Sequence, residues 1–333
     1  MRCILIGNYG TGNFGDEALR NYFLTSFPDI EWQVVSARPQ AGELPRLPAG
    51  IHSFFAMKWL RTLKELRHCD AVVFGGGTLF TDSESVFACF LWWLHVRIPC
   101  LLRKPVLFAF QGMGPFHSFI GAWFARDALK RARFLSVRDE ASARRVEAWR
   151  LNSKVIQSFD PIYNEFINQK SDSIQNILNE KNALNIVLAV IPRGNATDDL
   201  YDRCREMLRS GTYTGMAIVS LRPDDDAEDA VSNKLEQDSP VPCQRLAVRS
   251  ADGLIRALAP AAAVLSQRYH GSLAAIALGK KLILAPQAEG DKHAELRKYA
   301  EDEAARERLP ELIRSGEIAL REALFATSRS GGS

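Results

Sequence analysis

The chain has 333 residues, of which 47% are hydrophobic and 24% charged, a composition typical of a globular protein large enough for two domains. Its formal net charge of +3 is too small to indicate, from charge alone, binding to nucleic acid or to a membrane. The six cysteines are scattered and form no CxxC pair, so the sequence predicts neither a metal site nor a disulfide framework.

Strands and helices are predicted to alternate along the first half of the chain. The predicted strands are residues 2–6, 32–37, 70–74, 105–110, 134–137 and 154–159. The predicted helices are residues 16–27, 55–67, 86–102, 120–132 and 140–149. This alternation predicts a parallel sheet covered by helices, in a first domain at 1–161.

The second half repeats the pattern after a polar segment. Residues 162–184 are rich in Asn, Gln, Ser and Lys and are predicted to be a linker region that contains a helix. Strands then follow at 186–191, 216–221, 261–265 and 282–285, with helices at 198–209, 251–258, 272–278 and from 291 onward. The fold class predicted is α/β, with a second Rossmann-like domain at 185–325 and a disordered tail at 326–333.

The most hydrophobic segment is Val86–Leu102, VFACFLWWLHVRIPCLL. It is short for a membrane span and carries His95, Arg97 and Pro99 near its end. We expect a buried helix that is hydrophobic nearly all round. The alternative is a patch that faces a membrane or a protein partner, so peripheral membrane association stays open.

The first loop carries Gly10-x-Gly12-x-x-Gly15 between a strand and a helix, which is the context of a dinucleotide fingerprint. The second strand, however, ends in Ser36 and Arg38 rather than in the acidic residue that binds ribose. The pattern therefore argues against a nucleotide cofactor, although Arg38 could still favour one with a 2′-phosphate. A plain strand–helix turn is the competing interpretation.

Two further strand ends are rich in glycine. Gly76 and Gly77 belong to the run Gly75–Gly77, and QGMGP spans residues 111–115. Each could be simple turn chemistry, but together with the first loop they predict a crevice bounded by closely approaching backbone.

The stretch SQRYHGSLAAIALGKK, residues 266–281, follows a buried strand and opens a helix. Arg268 and His270 thus lie where ligands bind in open α/β sheets, and a helix amino end favours an anion. They indicate an anion clamp beside an acid/base group. The competing interpretation is a pair of side chains that merely solvate a turn.

Two other cations also follow predicted strands. Arg138 precedes a helix, and Lys292 follows the last strand. Simpler explanations exist for both residues. Arg138 could form a surface salt bridge, and Lys292 could be a solvated helix residue.

Six motifs in order resemble the polysaccharide pyruvyl transferase family over about residues 3–300. They are GNYGTGNFGDEAL, VVFGGGTLF, QGMGPF, LSVRDEASARRV, FDP and SQRYHGSLAAIALGKKLI. The resemblance implies transfer of the enolpyruvyl carbons of phosphoenolpyruvate to a sugar, as a pyruvate ketal on two hydroxyls. It also implies two Rossmann-like domains that face a cleft, in a GT-B-like layout.

The resemblance further implies roles for individual residues. Arg138, Arg268 and Lys292 would bind the donor, and His270 would be catalytic. Apart from the resemblance, we expect the glycine loops and the Asp16 carboxylate to hold the acceptor sugar, because a carboxylate pairs well with hydroxyls. The predicted acceptor-binding residues are Gly10, Gly12, Asn13, Gly15, Asp16, Gly76 and Gly77. No cofactor or metal is expected, and whether the acceptor is lipid-linked stays open.

Two other functions remain in play. One is a GT-B-type glycosyltransferase that uses a nucleotide sugar, because fold does not fix function. The other is a binding module or a degenerate relative without activity. A cytoplasmic location is expected, and within it the protein could lie at the inner face of the membrane.

Overall fold

The computed structural model describes residues 1–48, 51–83, 85–151, 153–169, 186–285 and 292–330. The chain forms two compact units. Unit 1 comprises Met1–Thr11, Leu19–Pro161 and Glu311–Ser333, and unit 2 comprises Gly12–Ala18 and Ile162–Pro310.

Unit 1 is built on a parallel sheet with strand order β3-β2-β1-β4-β5-β6-β7 among the described residues. Its strands are β1 (Arg2–Ile6), β2 (Glu31–Ser36), β3 (Leu44–Pro45), β4 (Ala71–Phe80), β5 (Val106–Met113), β6 (Phe134–Val137) and β7 (Val155–Gln157). The helices between them are α1 (Phe14–Ser26), α2 (Ile51–Phe55), α3 (Leu60–His68), α4 (Val86–Leu101), α5 (Phe119–Leu129) and α6 (Glu140–Ala148).

Helices cover both faces of this sheet, which is why its strands are nearly continuous apolar runs. Leu66 of α3, Trp92 of α4, Leu129 of α5 and Val146 of α6 share one buried cluster with Phe74 and other strand residues. On the other face, the α1 rings Tyr22 and Phe23 contact Phe110 of β5.

Unit 2 has a second parallel sheet, ordered β10-β9-β8-β11-β12 among the described residues. Its strands are β8 (Val187–Ile191), β9 (Gly215–Ser220), β10 (Cys243–Ala247), β11 (Ala261–Ser266) and β12 (Lys281–Leu284). Its helices are α7 (162–169), α8 (Asp198–Arg209), α9 (Asp226–Gln237), α10 (Ala251–Leu258), α11 (Tyr269–Leu278), α12 (Lys292–Glu301) and α13 (Glu303–Glu307).

The last helix, α14 (Leu309–Ser330), returns the chain to unit 1. Tyr22 donates a 2.6 Å hydrogen bond to Glu317, and Ser158 donates one of 3.0 Å to the Leu312 carbonyl. The predicted second domain at 185–325 therefore runs too far, because residues from 311 onward pack with unit 1. Residues 326–330, predicted to be a disordered tail, are the end of α14.

The predicted α/β class with two parallel-sheet domains is confirmed. That the two face a common cleft stays a prediction. Of the predicted linker region at 162–184, residues 162–169 are helical and belong to unit 2, and residues 170–184 lie outside the described residues.

Candidate active site

The strand order of unit 2 places a topological switch point between β8 and β11. From β8 the chain moves to β9 and β10 on one side of the sheet, and from β11 it moves to β12 on the other. The ends of the two strands are tied together, since Gln267 N, just after β11, donates to the carbonyl of Ile191, the last residue of β8, at 2.9 Å. Arg193 N in turn donates to Gln267 Oε1 at 3.3 Å. In open α/β sheets, this edge is where ligands bind.

The helices of unit 2 differ in how their amino ends are closed. Asp225 caps α9 and Ser250 caps α10 with side-chain hydrogen bonds. The N-cap residues of α8 and α11, Thr197 and Arg268, make no side-chain cap hydrogen bond within the described part of the chain. The two helices that follow the switch-point strands thus lack the side-chain cap that could compete with a bound anion.

Arg268, which precedes α11, bridges the two central strand ends. Its Nε donates to the Pro192 carbonyl at 3.1 Å, and its Nη2 pairs with the Glu228 carboxylate. The Arg268 side chain is 14% exposed. These contacts fix the guanidinium but use only part of its five N–H donors.

Glu228 on α9 is a site residue that the sequence did not reveal. Its Oε1 accepts hydrogen bonds from Ser220 Oγ at 2.6 Å, Leu221 N at 3.0 Å and Arg222 N at 3.1 Å, while Oε2 pairs with Arg268. Glu228 is fully buried. A buried carboxylate with this many donors holds Arg268 in a single orientation.

Glu228 stands in the run RPDDDAED, residues 222–229, where the sequence offers several acidic residues and no reason to choose one. Only its position in the first turn of α9, a helix absent from the predicted elements, separates it from its neighbours.

His270, in the first turn of α11, lies against the start of α1 within unit 2. A Cβ on Gly15 would stand 1.9 Å from His270 Nδ1, so any side chain there would displace the imidazole. The ring of Phe14 meets the imidazole edge-on, with centroids 6.2 Å apart, and Phe14 N donates to the Leu221 carbonyl at 3.0 Å. Gly15 is therefore explained by close approach to the predicted catalytic histidine.

Asn13 and Asp16 flank this contact. Asn13 Nδ2 donates a 2.7 Å hydrogen bond to Asp16 Oδ2, and Asp16 N donates to the Asn13 carbonyl at 3.1 Å. Asp16 is buried. Gly12, Asn13, Gly15 and Asp16 all belong to unit 2, in which they are grouped with His270.

Arg138 lies in unit 1, where it is almost completely buried. Its Nη1 donates to Asp160 Oδ2 at 2.5 Å and its Nη2 donates to Thr78 Oγ1 at 3.0 Å. The side chains of Arg138 and Asp160 are 2% and 0% exposed. The ion pair thus supports the carboxyl ends of neighbouring strands, and donor binding by Arg138 stays a prediction.

For the remaining predicted site residues, either local packing or backbone conformation explains the residue type, or the side chain lies outside the described residues. Gly10 approaches Ser36 so closely that a Cβ would stand 2.1 Å from Ser36 Oγ, and Gly76 packs against Leu19. Gly77 has a positive φ of 81° at the end of the same run. Acceptor binding by these three residues stays a prediction. The Lys292 side chain lies outside the described residues, and its backbone begins α12.

His95 on α4 shows what a structural histidine looks like in this protein. Leu47 N donates to its Nε2 at 3.2 Å, so its Nδ1 carries the proton and donates to the Leu91 carbonyl at 2.8 Å. Burial lowers the pKa of His95 from 6.5 to about 4. This histidine is held neutral in the core.

The sequence model of the polysaccharide pyruvyl transferases matches residues 13–285, which include Gly15, Arg138, Arg268 and His270. The chain belongs to the polysaccharide pyruvyl transferase family. It is thereby placed among transferases of polysaccharide biosynthesis. The comparison with curated proteins finds no matching sequence.

Solved structures with the same fold include proteins crystallised with nucleotides. HepE from Anabaena, in complex with UDP and glucose, aligns with a TM-score of 0.60 at 13% identity, over 98% of this chain and 100% of its own. UDP-GlcNAc 2-epimerase from Neisseria meningitidis, bound to UDP-GlcNAc, gives 0.56 at 11% identity, over 98% and 100%. The epimerase from Rickettsia bellii gives 0.61 at 11%, over 99% and 97%. At these identities the likeness shows the fold alone.

Proposed function

We propose that this protein transfers the three carbons of phosphoenolpyruvate to a saccharide of a surface polysaccharide or its precursor, forming a pyruvate ketal. One observation carries the proposal beyond the family. An imidazole, His270, lies against the amino end of α1 and in the first turn of α11, two residues after a buttressed arginine. The proposal is supported by the position of this imidazole beside positive partial charge and a fixed cation, where a proton-transfer group would act.

The donor is a small molecule with a carboxylate and a phosphate, and both groups need cations or N–H donors. We assign this task to the guanidinium N–H groups of Arg268 that have no partner among the described residues, and to the amino ends of α8 and α11, which lack a side-chain cap there. Lys292 would add a point charge to the phosphate. Arg138 stays a predicted donor-binding residue, although its present contacts are with Asp160 and Thr78.

The reaction balances without a metal or cofactor. A sugar hydroxyl oxygen bonds to C2 of phosphoenolpyruvate, its proton leaves to a base, and a proton is delivered to the methylene carbon, which becomes a methyl group. A second hydroxyl of the same sugar then bonds to C2 and gives up its proton to the leaving phosphate as the C2–O bond to phosphate breaks, so that inorganic phosphate departs. We assign His270 one of the two proton transfers of the addition step.

Acceptor recognition is proposed for the polar pair Asn13 and Asp16 at the start of α1. A carboxylate and an amide pair well with sugar hydroxyls, and both lie in the same unit as His270. The cytoplasmic location stays a prediction from the sequence. The attachment of the saccharide to a lipid stays open.

The experiment is to incubate the purified protein with phosphoenolpyruvate and candidate saccharides, and to measure phosphate release together with the mass of the glycan. The proposal expects phosphate and glycan-bound pyruvate in equal amounts. Phosphate release without a saccharide adduct would contradict it.

A second candidate is a glycosyltransferase that uses a nucleotide sugar. HepE, of similar fold, was crystallised with UDP and glucose, and an uncapped helix at a switch point also suits a diphosphate. Isothermal titration separates the two functions. Binding of a UDP-sugar with no effect of phosphoenolpyruvate would favour the glycosyltransferase.

A further inference from the structure

Helix α4 carries a ladder of aromatic side chains on one face. Phe87, Phe90 and Trp93 follow each other at three-residue spacing, and their rings stack with centroids 5.9 and 5.8 Å apart. Residues three apart share one face of a helix. The sequence predicted that this segment would be buried nearly all round, yet Phe87 is more than half exposed.

Helix α5 extends the ladder sideways. The rings of Trp123 and Phe124 lie 6.1 and 5.5 Å from that of Trp93. At the start of α5, Phe119 is 84% exposed and Ile120 is also mostly exposed. We call the combined surface the aromatic face, and it consists of Phe87, Phe90, Trp93, Phe119, Ile120, Trp123 and Phe124.

A second apolar patch lies just before and at the start of α3. Phe54, Phe55, Met57 and Leu60 are all exposed, and Phe54 stacks on Trp59 with centroids 5.7 Å apart. Helices α3, α4 and α5 pack into one core cluster on the same face of the sheet. The two patches therefore lie on the same side of unit 1. Exposed apolar side chains clustered on one side of a domain indicate an interaction site.

Basic residues accompany both patches. Residues 81–133, which include the segment before α4, contain seven Lys or Arg and three acidic residues (Asp82, Glu84 and Asp127), a net charge of +4 (7 − 3) in a chain whose total is +3. Asp127 is itself occupied by Trp93 Nε1 at 2.8 Å and by Arg131 at 3.1 Å. Residues 53–67 add four basic residues against one acidic residue, a net charge of +3 (4 − 1).

The charge and the ring geometry of these patches indicate what kind of partner binds them. A second copy of the chain would bring two positive surfaces together, which is unfavourable. Nucleic-acid bases need open ring faces, whereas Phe87, Phe90 and Trp93 stack on one another. Tryptophan and phenylalanine beside Arg and Lys fit the headgroup layer of an anionic bilayer.

We propose that this side of unit 1 docks peripherally on an anionic membrane surface. The aromatic face and the patch at 54–60 enter the boundary between headgroups and acyl chains, and the flanking Arg and Lys side chains contact lipid phosphates. Among the described residues, no helix is both long and apolar enough to cross a bilayer. If the proposed function also holds, docking places the enzyme beside a lipid-linked saccharide. The docking itself does not depend on that function.

Vesicle co-sedimentation of the full chain tests the proposal. We expect binding to phosphatidylglycerol-containing vesicles at least tenfold stronger than to pure phosphatidylcholine, and weaker binding as salt rises. The variant F119S/I120S/W123S should lose at least tenfold in affinity. The matched control I318S/F325S changes two exposed apolar residues of α14 and should bind like the wild type. His270→Ala should also bind normally, so failure of docking and failure of catalysis are distinguishable.

Two results would overturn the proposal. One is equal binding of the wild type and F119S/I120S/W123S to anionic vesicles. The other is no vesicle binding, with a dimer in sedimentation velocity that F119S/I120S/W123S converts to a monomer, which would assign the face to a second copy of the chain. Circular dichroism of the triple variant should match the wild type, and F119S alone serves if the triple variant unfolds.

Discussion

Each unit places an arginine after a strand and pairs it with a buried carboxylate, but the two surroundings differ. Arg138 follows β6, is 2% exposed and pairs with Asp160. Arg268 follows β11, is 14% exposed and pairs with Glu228. The helix after Arg138 is closed by Asp139, whose Oδ1 accepts from Ser142 N at 2.7 Å. The helix after Arg268 lacks such a cap among the described residues.

The difference teaches which arginine is prepared for a ligand. Asp139 already occupies the helix end beside Arg138, and that guanidinium is enclosed, whereas Arg268 is partly exposed beside a helix end with no side-chain cap among the described residues. The same contrast holds for the histidines, because His95 is enclosed and neutral while His270 lies in the uncapped helix turn. Unit 2 is thus expected to carry the donor chemistry.

The largest effect is expected from His270→Ala. Removing a general acid or base should lower the rate of phosphoenolpyruvate-dependent phosphate release by roughly 10²–10⁴-fold. The thermal midpoint should change little. His117→Ala, at an exposed histidine of unit 1, is the control and should keep the wild-type rate. A rate within threefold of wild type for His270→Ala would remove it from the mechanism.

Gly15→Ala should come next. The added methyl group would stand 1.9 Å from His270 Nδ1, so the imidazole must move. Displacement of a catalytic group by about 1 Å can cost roughly 100-fold in rate. Gly215→Ala, where a Cβ meets only ordinary contacts of 3.7 and 3.9 Å, is the matched control in the same unit. Equal rates for both variants would mean that His270 does not need this position.

The ion pair in unit 2 can be tested by a double-mutant cycle. Arg268→Met or Glu228→Gln alone leaves a buried group unpaired and should cost about 3–5 kcal/mol of unfolding free energy. The double variant should recover most of that loss, yet its KM for phosphoenolpyruvate should stay at least tenfold raised. Recovery of both stability and KM would make Arg268 purely structural.

The corresponding cycle on Arg138 and Asp160 sharpens the contrast between the units. We expect a similar stability loss, about 3–5 kcal/mol, in each single variant (Arg138→Met, Asp160→Asn), with recovery in the double variant. The rise in KM should be smaller than for Arg268, because Arg138 is more deeply enclosed. A larger rise would reverse the assignment and support the sequence-based prediction that Arg138 binds the donor.

The smallest effect is a pH dependence from His95. Its folded pKa of about 4 is below the unfolded value of 6.5, so the unfolded state binds more protons between these pH values. Its contribution is therefore intact above pH 6.5 and is lost as the pH falls toward 4, by about 2 kcal/mol at pH 5. Urea unfolding at pH 7 and pH 5 measures this loss. A His95→Gln variant that keeps the same pH slope would contradict it.

The sequence predicted the strands of both sheets well where they are long apolar runs, because burial on both faces leaves that signature. It missed β3, which has only two residues, and β10, whose side chains are exposed or half-buried. It also missed α9, because the acidic run at 222–229 obscures the start of that helix. The return of α14 to unit 1 was also missed, since contacts such as Tyr22 with Glu317 span 295 residues.

The site was predictable only in part. Arg268 and His270 stand at a strand end that periodicity reveals, but the contact of His270 with Gly15 depends on tertiary packing. Likewise, Glu228 and Asp160 become visible as partners only once the strands are ordered in their sheets.

The most direct test of the account is the reaction run in D₂O with phosphoenolpyruvate and a saccharide acceptor, followed by NMR of the ketal methyl group. Protonation of the methylene carbon by the enzyme predicts one deuterium in each new methyl group, and no such product from His270→Ala. A product that retains the C=CH₂ group, or an unchanged saccharide while a UDP-sugar is consumed, would contradict it.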